Sequence, residues 1–65
     1  MSDETSEKAV PIDSRQAIFK ALVESQDEGM SVGESRAAIA LQFSVTTEEV
    51  KDIEKEGLAN QWPPL

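Results

Sequence analysis

The short stretch Phe43-Ser44-Val45-Thr46-Thr47-Glu48-Glu49-Val50 constrains this chain more than any other. It breaks one helical pattern and starts another within three residues. Thr46 and Glu49 stand in the T-x-x-E spacing of a capping box, in which the threonine hydroxyl accepts from a free amide and the glutamate reaches back to the N-cap amide. Val45 and Val50 occupy the two apolar positions of a hydrophobic staple, which sets the angle at which the chain enters the helix. The helix that follows is expected to run from about residue 47 to 56. Gly57 is read as its left-handed stop, with Ile53 and Leu58 as the paired apolar residues of a Schellman motif.

The same logic works backwards along the chain. Ser31-Val32-Gly33-Glu34 has the S-x-x-E form of a capping box, and predicts a helix over about 32–43. Val32, Ile39, Ala40 and Phe43 share its inner face, while Ala37, Ala38 and Leu41 favour helix wherever they point. Before it, Ala17, Ile18, Ala21 and Leu22 form an apolar stripe at helical spacing, widened by Phe19 and Val23. A first helix over about 14–26 is expected, with Asp13 as N-cap, Gln16 completing its capping box and Gly29 as the stop. No segment alternates long enough to suggest a strand. The fold class is therefore all-α: a small three-helix domain over residues 11–65. The preceding acidic tail, 1–10, lacks periodicity and is expected to be disordered, with an acidic arm that binds a partner as the alternative.

From Arg36 to Leu58 the spacings are those of a helix-turn-helix. Ala40 is small enough for two helices to cross, Ser44 stands at the turn, and Val50 and Ile53 anchor the second helix on the first. The same spacing would serve a plain three-helix bundle. The segment Ile39-Ala40-Leu41-Gln42-Phe43-Ser44-Val45-Thr46-Thr47-Glu48-Glu49-Val50-Lys51-Asp52-Ile53-Glu54-Lys55-Glu56-Gly57-Leu58 resembles the C-terminal helix-turn-helix of bacterial RNA polymerase sigma factors. Ile39, Ala40, Phe43, Val45, Thr46, Glu48, Ile53, Glu54 and Leu58 match that family's pattern, and Val50 replaces an isoleucine. The resemblance implies a bacterial, transcription-associated module whose second helix meets promoter DNA, activators or the polymerase. The turn glycine of the family is Ser44 here. Where the family carries arginines on the exposed face, this chain has Thr47, Glu49 and Lys51, and Asp52 stands in place of a glutamine.

Charge bears directly on that implication. The 65 residues hold 6 basic and 13 acidic side chains, a net charge of −7. Affinity for nucleic acid comes largely from cations that displace counterions around phosphates, so this balance disfavours DNA and an anionic membrane surface and favours a basic protein partner. The contact surface expected on the recognition helix comprises Arg36, Thr46, Thr47, Glu48, Lys51, Asp52 and Lys55. The preferred reading is contact with a protein, either RNA polymerase or a basic regulator, through an acidic face. The alternative is sequence-specific DNA binding of a sigma-like or regulator-like kind.

Catalysis and cofactors are not expected. The chain has no cysteine and no histidine, which excludes disulfides, zinc fingers and thiol chemistry. Its serines lack a candidate base: Ser31 reads as a cap and Ser35 as helix surface. Glu48, Asp52 and Glu56 repeat four apart, but a solvated face explains them better than a metal site, which needs convergent oxygens and usually a loop. No apolar run approaches the roughly 20 residues of a membrane span. The polar, acidic N-terminus is unlike a secretory signal, the lack of cysteine fits a cytoplasmic protein, and Met1 suggests a complete chain. In the C-terminal Trp62-Pro63-Pro64-Leu65, Trp62 and Leu65 are expected to fold back over a core too small to close itself. The alternative is a proline-rich anchor for a partner.

Overall fold

The computed structural model describes residues 10–65, which form three helices and no strand: α1 (Ile12–Asp27), α2 (Val32–Phe43) and α3 (Thr47–Asn60). Each helix packs against both of the others. Apart from Val10, the tail expected to be disordered lies outside the described residues. Val10 itself is half-buried, and its carbonyl accepts from Arg15 Nη1.

Helix α1 begins two residues before the expected start. Pro11, not Asp13, is the N-cap, with φ −59° and ψ 151° and no side-chain cap hydrogen bond. The proline ring fixes φ and keeps Val10 out of helical geometry, so the helix can start directly after it. The Pro11 carbonyl accepts from the Arg15 amide at 2.9 Å, and Asp13 stands in the first turn, where its negative charge favours the helix dipole. At the other end Gly29 takes φ 103°, its amide donating to Gln26 O and that of Met30 to Ser25 O. Gly29 is the stop that the sequence predicts, and the bonds around it form a Schellman pattern.

Both remaining N-termini carry complete capping boxes. The Ser31 hydroxyl accepts from the Glu34 amide at 3.2 Å, and Glu34 Oε1 accepts from the Ser31 amide at 3.4 Å. In α3 the Thr46 hydroxyl accepts from the Glu49 amide at 3.0 Å, while Glu49 Oε1 accepts from the Thr46 amide at 2.8 Å. Helix α2 then closes on Ser44, a non-glycine residue at φ 59°, ψ 41°, with the Val45 amide donating to Ala40 O at 2.9 Å.

The core consists of Ile18, Phe19 and Leu22 from α1, Ile39 and Ala40 from α2, Val50 and Ile53 from α3, and Trp62 from the tail. Ala21, Val23, Phe43 and Val45 pack around it. Two residues placed on inner faces by periodicity lie outside. Val32 is half exposed at the very start of its helix, and Ala17 faces solvent.

Gly57 does not stop α3, which continues to Asn60. The residue is buried inside the helix against α1, and a Cβ built on it would fall 2.3 Å from Phe19 Cδ1. Only a glycine lets the Phe19 ring lie on the backbone there. Leu58, freed from the role of capping partner, is exposed. The Schellman motif forms further along, around Gln61 at φ 54° and ψ 47°, with the Trp62 amide donating to Gly57 O at 3.0 Å. This turn drops Trp62 onto the core, 8% exposed and edge-on to Phe19 with ring centroids 6.0 Å apart. The expectation for Trp62 holds. Leu65 departs from it, remaining 59% exposed.

Ser35 is also not helix surface. It is fully buried where α1 meets α2, its hydroxyl donating to Val32 O at 2.9 Å and accepting from Gln26 Nε2 at 3.1 Å. Both bonding directions of a buried hydroxyl are thereby used, which removes the cost of burying it.

Candidate protein-contact surface on the third helix

Burial of Val50, Ile53 and Gly57 fixes which way α3 faces. These positions are three and four apart, so the opposite side must carry residues 48, 51, 52 and 55. Glu48, Lys51, Asp52 and Lys55 are all exposed, as are Thr46 and Thr47 at the entry to the helix. Six of the seven residues expected to form the contact surface therefore share the outer side of α3 and its first turn. Thr46 is doubly used there, because its hydroxyl and amide are both engaged by Glu49.

Arg36 is the one that does not join them. It is half-buried, with Nε at 2.9 Å and Nη2 at 2.8 Å from the same Glu54 oxygen, tying α2 to α3. Arg15 does the corresponding work from α1. Its Nε lies 3.0 Å from Glu56 Oε1, a charge contact in which the N–H points outside hydrogen-bonding geometry. Neither pairing is visible in local sequence, since each joins residues from different helices.

These two ion pairs change the electrostatics of the site. Of the five carboxylates on α3, Glu54 and Glu56 are neutralised by arginines and Glu49 is engaged in the cap. Glu48 and Asp52 are left facing outward beside Lys51 and Lys55, and among the described residues none of the four has an ion-pair partner. The outer face is thus balanced, two carboxylates against two ammonium groups, rather than acidic as the raw sequence implies. Glu56, on its arginine, does not converge with Glu48 and Asp52, and no group of carboxylates among the described residues is arranged to hold a metal ion. No helix among them is long and apolar enough to cross a membrane. No protein-family model matches the chain, and no curated protein and no solved structure matches it either.

Proposed function

We propose that Arg36–Leu58 is a non-catalytic helix-turn-helix module of bacterial transcription. It works in the cytoplasm and acts by protein contact through the outward face of α3. RNA polymerase or a basic regulator is its partner, attracted by the net charge of −7 on the chain and not by an excess of acid on this face. The helix-turn-helix reading is supported by the buried Ala40 at the crossing, the left-handed Ser44 and the three-residue connection into the capped α3. The observation that carries the protein-contact reading is the balanced charge of the outer face. A helix that docks on DNA needs cations to hold it against phosphates, and acidic neighbours oppose them. With Arg36 committed to Glu54, that face offers Lys51 and Lys55 alone, interleaved with Glu48 and Asp52. A protein partner, by contrast, can answer a mixed pattern of charge with its complement, and such complementarity confers specificity.

Titration of the full chain with mixed-sequence duplex DNA at low salt separates this reading from the DNA-binding alternative. Protein contact predicts no saturable binding. Saturable binding that falls steeply with added salt and is weakened by Lys51→Glu would overturn it in favour of DNA.

A further inference from the structure

We draw no further inference here: the strongest candidate, the outward apolar face of α2 formed by Ala37, Ala38 and the 84% exposed Leu41, has no partner among the described residues, and nothing in the structure shows what covers it.

Discussion

Gly57 shows how one residue can carry opposite meanings at two ranges. Read locally, a glycine after a run of helix formers is a stop, and Ile53 and Leu58 stand at the spacing such a stop requires. In the folded chain it is a contact surface for Phe19, and the helix passes through it. Both readings predict a loss of stability for Gly57→Ala, but only the contact reading makes that loss depend on Phe19. At a left-handed stop alanine is strained by backbone conformation alone, whereas in an ordinary exposed helix it would gain about 1 kcal/mol of propensity. Here the new methyl group would overlap the Phe19 ring, and overpacking of this kind costs about 1–3 kcal/mol. We expect Gly57→Ala to lower stability in urea unfolding, and Phe19→Leu to recover part of that loss in a double-mutant cycle. Additive effects of the two substitutions would show that ring and glycine are uncoupled. Ser35 carries the same lesson more quietly. A serine among polar neighbours looks like surface, and its burial follows from Gln26 reaching across from α1.

At the scale of elements, starts were more legible than ends. The capping boxes at Ser31 and Thr46 are written in four consecutive residues each, and both form with both of their bonds. Helix ends depend on which residue can adopt the left-handed conformation, and only one of the three ends uses glycine for it: Gly29, against Ser44 and Gln61. The start of α1 differs from the expectation for a related reason. Asp13 offers a capping side chain, but Pro11 starts the helix through backbone geometry alone. Left-handed geometry costs a non-glycine residue about 1–2 kcal/mol, which is a reserve of stability open to substitution. Gln61→Gly relieves that strain in the folded state while adding freedom to the unfolded chain, so a net gain of about 0.5–1 kcal/mol is expected. Thermal unfolding followed by circular dichroism would register this as a melting temperature raised by roughly 2–8 °C. An unchanged or lowered value would mean that the Gln61 side chain contributes more than its backbone costs.

The described residues form a small core closed by Trp62 in the segment that follows α3. A chain of this size has a stability of about 3–10 kcal/mol, and replacing a buried tryptophan by alanine removes about 3–5 kcal/mol. Trp62→Ala should therefore remove a large share of the total stability, seen as a markedly lowered melting temperature in far-ultraviolet circular dichroism. Retention of a cooperative transition near the parent melting temperature would assign Trp62 to the surface instead. The all-α class and the three helices were legible because hydrophobic periodicity is a local signal. The outward positions of Glu48, Lys51, Asp52 and Lys55 followed from that same period. The net character of their face did not, because it depends on Arg36 and Arg15 withdrawing Glu54 and Glu56 across helix boundaries. The most direct measurement of the role proposed for that face is capture of partners from an extract of the source cell on the full chain, with Glu48→Lys/Asp52→Lys in parallel. Circular dichroism would first establish that both proteins are equally folded. The account predicts that RNA polymerase or a basic regulator, identified by mass spectrometry, is held by the parent chain and lost from the double variant. Equal retention by both proteins, or recovery of neither partner by the parent chain, would contradict it.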